Sequence, residues 1–279
     1  MSSPLFKLNN NQPIEALGFG TYKVAPKDAG ETLKNALAVG YRHIDTAQMY
    51  GNEAAIGDAL VEAAVPRASL FLTTKLNNPN HAADRARDSF AQSLRDLKTD
   101  YVDLFLMHWP LPNDYGGDYP GTYRVMEEFV ADGRARAIGV SNFHVKHLER
   151  LLAETSIEPA VNQIELHPQF GNREVVEFCR EHGIAIESWS PLGRAQYFDN
   201  PVITEIAAAR EATPAQVVLA WHRQQGFIAI PKASGLARQK ENFDSLRVTL
   251  DAGEMDAISA LDKGEEGRIG PHPDNFGLN

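Results

Sequence analysis

The sequence predicts an α/β fold, a (β/α)8 TIM barrel, and three observations carry that prediction. The chain has 279 residues, the usual size of one such barrel. Short apolar runs bounded by turn residues alternate along it with amphipathic stretches of helical period. No long Pro/Ser/Gly linker or low-complexity tract divides the chain, which favours a closed parallel barrel in one domain over residues 1–279.

Residues 5–8 and 13–15, joined by Asn9-Asn10-Asn11, are expected to form a short N-terminal β-hairpin over the barrel floor. Barrel strands are read at 17–21, around Ile44, and at 70–74, 102–107, 135–140, 160–164, 184–188 and 227–230. Helices are read at 28–39, 52–63, 82–97, 123–131, 145–153, 173–182 and 214–224. A doubly wound open sheet shares this alternation. Its fingerprint is missing, because Gly18-Phe19-Gly20 is followed by Lys23 where the third glycine belongs, and no acidic residue stands about 20 residues on.

Hydrophobic residues make up 43% and charged residues 23%, enough to bury a core rather than stay disordered. With 27 Lys and Arg against 37 Asp and Glu, the formal charge of -10 repels a phosphate backbone, so nucleic acid is not an expected partner. Cys179 is a lone cysteine, read as a buried structural thiol. The N-terminus has no basic region followed by an apolar run, and nowhere do about 18 apolar residues run together; a cytoplasmic protein without a membrane partner is expected. His144 and His147 lack a suitably spaced third ligand, so they are read as helix surface and no metal is expected. His167 reads as structural, and His43 as packing outside the barrel.

Chemistry in an α/β barrel sits at the C-terminal strand ends. Three consecutive runs end there in Asp45, Lys75 and His108, and Tyr50 lies five residues beyond Asp45. A phenol titrates near ~10, too high for an efficient general acid. Lys75 should lower that value, Asp45 should keep Lys75 charged, and His108 could donate to a carbonyl oxygen. Taken singly, each has a structural reading: a loop cap, a solvated charge, a core histidine, ordinary aromatic packing. Together they point to proton transfer, without specifying redox chemistry.

The segments Gly18-Phe19-Gly20-Thr21-Tyr22, Asp45 to Glu53, Thr73-Thr74-Lys75, His108-Trp109-Pro110, Gly139 to Phe143, Asn162 to Pro168 and Ser190-Pro191-Leu192-Gly193 occur in order over nearly the whole chain. In these the sequence resembles the aldo-keto reductase superfamily. Glu187-Ser188-Trp189 and the tail from Gly267 to Asp274 are most similar to the bacterial 2,5-diketo-D-gluconate reductases. The resemblance implies NADPH-dependent reduction of aldehydes or ketones, 2,5-diketo-D-gluconate or methylglyoxal among them, by a monomer. Its catalytic tetrad would be Asp45, Tyr50, Lys75 and His108, with Tyr50 the general acid.

For NADPH/NADP+ the resemblance implies Ser141, Asn142 and Gln163 at the carboxamide, and Trp189 stacked on the nicotinamide. Ser190, Leu192 and Gly193 would lie along the pyrophosphate, with Gly20, Thr21, Tyr22 and Asp45 also in the cofactor set. Lys232, Ala233, Ser234 and Arg238 would take the 2'-phosphate, and Glu241 and Asn242 the adenine. Phe19, Tyr22, Tyr50, His108, Trp109 and His272, from a C-terminal tail near the active site, would wall a pocket for a small carbonyl substrate. Asn77-Asn78 stands where relatives often carry tryptophan, and Ala233 where many carry serine. Two rivals remain: a non-catalytic NADPH-sensing barrel subunit, and a metal- or phosphate-dependent barrel hydrolase or isomerase.

Overall fold

The computed structural model describes residues 3–278. Strands β1 (Leu5–Lys7) and β2 (Pro13–Glu15) pair antiparallel as the expected hairpin. Eight parallel strands follow: β3 (Phe19–Gly20), β4 (His43–Asp45), β5 (Phe71–Leu76), β6 (Leu104–Met107), β7 (Ile138–Ser141), β8 (Val161–Glu165), β9 (Ala185–Trp189) and β10 (Ile228–Ala229). They pair in chain order, and the two edges meet: Gly18 N donates to Ala229 O at 2.8 Å and Ala229 N to Ala16 O at 2.9 Å. The sheet therefore closes on itself, and no edge is left to pair with another chain.

Alternation along the strands sorts side chains into two compartments. On β5, Phe71 faces inward and Leu72 and Leu76 outward, so they join different apolar clusters. The inner cluster combines Phe71, Leu104, Leu106, Val161 and Ile228 with Leu8 and Ile14 of the hairpin segment, which plugs the floor. Burying Ile14 completely contributes about 1.5–3 kcal/mol. Above this apolar plug the interior turns polar, with His43, Asp45, Thr73, Lys75, Gln163 and Glu187 all buried. His43 thus packs inside the barrel, a correction to the expected outer position. A residue two positions from Asp45 on one strand must share its face, and Gly18 leaves room: a Cβ there would come within 2.6 Å of His43 Nδ1.

The outer layer comprises α1 (Pro26–Val39), α2 (Glu53–Glu62), α3 (Ala83–Asp96), α4 (Tyr119–Ala131), α5 (Val145–Glu154), α6 (Arg173–Glu181), α7 (Pro201–Ala209), α8 (Pro214–Gln224), α9 (Leu236–Asp244) and α10 (Ala252–Ser259). Proline at the first turn and a side-chain cap mark several starts. In α8, Thr213 Oγ1 accepts from Gln216 N at 3.3 Å while Gln216 Oε1 accepts from Thr213 N at 2.9 Å. Helix α4 begins four residues before the expected start, because Asp118 caps Gly121 N and Pro120 fits the first turn. α7 and α10 escaped the periodicity reading, being short and weakly amphipathic, although α10 carries a capping box of Asp251 and Glu254.

Candidate active site

Three strand ends and one loop assemble the tetrad. Asp45 ends β4, Lys75 is the penultimate residue of β5, His108 follows β6, and Tyr50 closes the 3-10 turn Gln48–Tyr50. That turn is held from both sides. Asn52 donates to Thr21 O and Val24 O at 3.0 and 3.1 Å and accepts from Thr46 Oγ1. Gln48 accepts from Asn77 N at 2.8 Å and donates to Ser93 Oγ at 3.0 Å. Both anchors stand in the Asp45–Glu53 motif, but their holding role was not legible, since their partners lie elsewhere, on the loops at Thr21, Val24 and Asn77 and on α3 at Ser93.

Lys75 Nζ sits 2.7 Å from each Asp45 oxygen, 2.8 Å from Thr46 O and 3.3 Å from Tyr50 Oη. Burial works against the Lys75 ammonium, but Asp45 and Tyr50 outweigh it and hold the amine above its usual value. Because Lys75 donates to the phenolic oxygen, the O–H of Tyr50 is left to donate elsewhere. The sequence led us to expect a lowered phenol pKa. Here the direction is reversed: burial pushes Tyr50 up to about 12, against the pull of Lys75, and Asp45 adds to the rise. The phenol is therefore a fully protonated donor at neutral pH. Burial, then the charge of Lys75, pushes His108 well below its ordinary value, so it presents a neutral imidazole with one N–H. Its ring meets that of Tyr50 edge-on at 5.8 Å.

Of the expected wall residues, Tyr22 is exposed with its ring 5.1 Å from that of Tyr50, and Trp109 packs against Phe276 at 4.1 Å. Phe19 is a correction. It is 1% exposed and packs, its ring tilted, against Tyr41 at 5.6 Å between barrel and helices, because its neighbour Gly20 takes the inward position on β3. His272 lies against His144 at 4.8 Å, and none of its contacts reaches the tetrad. The tail meets the mouth through other residues: Phe276 on Trp109, and Gly270, where a Cβ would stand 2.4 Å from Trp189 Cη2. Glu165, at the end of β8, clamps this stretch by accepting from Ile269 N and Gly270 N at 2.6 and 2.8 Å.

The tail also revises the reading of His144 and His147. His147 is buried, its Nε2 3.1 Å from Asp274, and His144, His272 and Asp274 bring ligand-type atoms within 4.8 Å of one another. The third group was invisible in local spacing because it arrives from 130 positions away. Lys146 pairs with Asp274 at 2.5 Å and Arg268 lies 3.4 Å from His144 Nε2, so two cations already occupy this corner. The cluster is read as an ionic pin for the tail.

Four of the expected cofactor residues, Ser141, Asn142, Gln163 and Trp189, are hydrogen-bonded to one another. Ser141 Oγ donates to Gln163 O at 2.8 Å, Asn142 Nδ2 donates to His108 O and Ser141 Oγ, and Trp189 Nε1 donates to Asn142 Oδ1 at 2.7 Å. Gln163 spends both N–H groups on Asp45 and Glu187, which leaves Oε1 as the atom it can offer a carboxamide. Beyond Trp189 the chain turns sharply, with Ser190 and Gly193 at φ 48° and 52°, and Leu192 half-buried between them. Lys232, Ser234 and Arg238 are exposed at the start of α9, while neighbouring Lys240 is spent on Asp244. Ala233 and Asn242 are buried, and Glu241 half-buried. A half-buried indole, an amide acceptor and two exposed cations in sequence suit an extended, anionic dinucleotide.

Residues 16–263 match the aldo/keto reductase family. The chain belongs to that family. It is 43% identical to the glyoxal reductase of Bacillus subtilis (strain 168), covering 97% of this chain and 96% of that protein. It is 42% identical to the methylglyoxal reductase DkgA of Escherichia coli (strain K12), covering 99% and 100%. A crystal structure of a Gox0644 mutant in complex with NADPH superposes with a TM-score of 0.94 at 37% identity, each chain covered in full. The family membership predicted from seven ordered motifs therefore stands, as does the barrel.

Proposed function

We propose that this aldo-keto reductase uses NADPH to reduce small carbonyl compounds, dicarbonyls such as methylglyoxal first among them. The observation that carries the reading is Lys75 donating to Tyr50 Oη, which frees a protonated phenol to give its hydrogen to a carbonyl oxygen. Bound NADPH would supply the hydride. The protein's share is placement and proton supply: Trp189 offers a flat face to the nicotinamide, Gln163 Oε1 accepts from its carboxamide, and Lys232 and Arg238 receive the 2'-phosphate. His108 and Tyr50, their rings edge-on at 5.8 Å, would each offer a hydrogen-bond donor to the carbonyl oxygen, so that charge developing there is stabilised as Tyr50 gives up its proton. Tyr22 beside Tyr50 and Trp109 packed on Phe276 would wall the substrate on one side, and Asn77 would lend a polar edge. The dicarbonyl preference is supported by the names of two relatives and by that short, partly polar wall; 2,5-diketo-D-gluconate is the larger candidate of the same chemistry.

The reading includes action as a monomer, with residues 1–279 as a single catalytic domain. No helix among the described residues is long and apolar enough to cross a membrane. The deciding assay follows loss of reduced-nicotinamide absorbance with methylglyoxal, glyoxal and 2,5-diketo-D-gluconate, comparing NADPH with NADH. Tyr50→Phe should abolish turnover while NADPH still binds; a Tyr50→Phe enzyme with normal turnover would remove the assignment.

A further inference from the structure

Two acidic side chains lie beneath one ammonium inside this barrel: Asp45 touches Lys75, and Glu187 is joined to Asp45 through Gln163. Glu187, at the centre of β9, is completely buried, and no role at the site has yet been given to it. Gln163 Nε2 donates one hydrogen to Asp45 Oδ2 at 2.8 Å and the other to Glu187 Oε2 at 2.7 Å. The second oxygen, Glu187 Oε1, receives no hydrogen bond and lies 3.3 Å from His43 Nε2. A chain of buried groups thus runs from His43 through Glu187, Gln163 and Asp45 to Lys75 and Tyr50.

An ionised Glu187 would be a second buried anion beside Asp45, whereas a protonated one can donate from Oε1 to His43 Nε2, the ring keeping its own hydrogen on Nδ1 toward the Glu15 backbone. We infer that Glu187 is a positioning residue for the proton donor: protonated at neutral pH, it fixes Gln163 and Asp45 beneath Lys75, and once ionised in alkali it opposes ionisation of Tyr50. The inference rests on the proposed role of Tyr50. Burial, then the charge of Asp45, pushes Glu187 up to about 8, and burial pushes His43 down to about 3, leaving a neutral acceptor. The titratable groups facing Glu187 are His43 and Asp45 on β4 and Lys75 on β5. Strand β8 contributes the neutral Gln163, and β10 meets β9 through backbone pairing at Ile228 and Ala229.

The direction of the effect follows from charge. Below a pH of about 8 the cluster beneath the phenol holds one ammonium and one carboxylate; above it a second carboxylate appears. Added negative charge makes the phenolate of Tyr50 harder to form. Alcohol oxidation needs that phenolate as base, whereas carbonyl reduction needs the phenol O–H.

The test measures kcat and KM for oxidation and reduction from about pH 6 to about pH 10 in the wild type, Glu187→Gln and Tyr50→Phe. In Glu187→Gln the alkaline rise of oxidation should begin about one pH unit lower, in kcat rather than in KM for the alcohol. Superimposable profiles for Glu187→Gln and wild type, with Tyr50→Phe inactive, would overturn the role of Glu187 alone. An active Tyr50→Phe would instead overturn the assignment of Tyr50. The unaltered protein supplies a second readout: with 13C-labelled glutamate, its infrared spectrum should show a carboxylic acid band that vanishes as the pH passes about 8. No band titrating there would overturn the inference whether or not the variant folds.

Discussion

Lys75 divides its N–H donors among Asp45, Thr46 O and Tyr50 in a space closed to water. Its replacement by methionine should therefore cost twice. The buried Asp45 carboxylate loses its partner, worth about 3–5 kcal/mol of stability, and kcat should fall at least ~100-fold. Urea unfolding and steady-state kinetics measure both, and an unchanged kcat would show that the phenol works without the amine. At the far end of the site, Arg238→Ala should raise the NADPH KM roughly tenfold and leave NADH unaffected, the scale of one charge-assisted hydrogen bond. Equal effects on the two cofactors would remove Arg238 from the 2'-phosphate. Asp45, Lys75 and His108 were legible because polar residues at the ends of apolar strands are costly to keep without a use, and Tyr50 because it follows Asp45 by five residues. Glu187 was not legible as part of the site: in the sequence it was only one residue of a motif pointing to a subfamily, and its contacts come from β4 and β8.

Elements were legible where both period and punctuation were strong. Helix α8 was read with its observed bounds because Thr213, Pro214 and Gln216 announce its start. Strand β7 begins three residues later than expected, since Ala135 makes only a single bridge to Val102 before the ladder starts at Ile138. The C-terminal tail has neither period nor cap, yet it is positioned by Glu165 and lies against Trp189. Gly270→Ala would drive a methyl group into Trp189 or force the tail outward, a conflict of about 1–3 kcal/mol. That should weaken NADPH binding by about fivefold or more, read from fluorescence quenching of the protein. Unaltered affinity would mean that the tail yields at no cost to the indole.

On the scale of the whole molecule, the fold keeps several histidines neutral. Burial pushes His43 down to about 3 and His81 and His222 down to about 4. For each, the unfolded chain takes up a proton at a higher pH than the folded one. Their contribution to stability is thus complete above about 6.5 and is lost as pH falls toward 4, at about 3 kcal/mol for a histidine held two pH units low. The urea midpoint should fall steeply between pH ~6.5 and ~4.5. A flat midpoint over that range would show that these imidazoles are not buried in neutral form. Carboxylates raised by burial, such as Glu15 and Glu53, oppose the trend, which limits it without changing its sign.

The sequence by itself determined the barrel and the family, and it named the four residues of the proposed tetrad and the basic start of α9. Each is written in local order: a period of strand and helix, a polar residue at a strand's end, a run of motif residues. Tertiary structure alone decided that His43 and Glu187 share the interior with Asp45 and that Phe19 belongs to the core. It also decided that the tail is pinned by Glu165 and Asp274, and that Tyr50 is held protonated rather than poised. The physical reason is common to all of these. Closing the ring brings groups from strands far apart in the chain into one space without water, and there burial outweighs the local charges that the sequence displays.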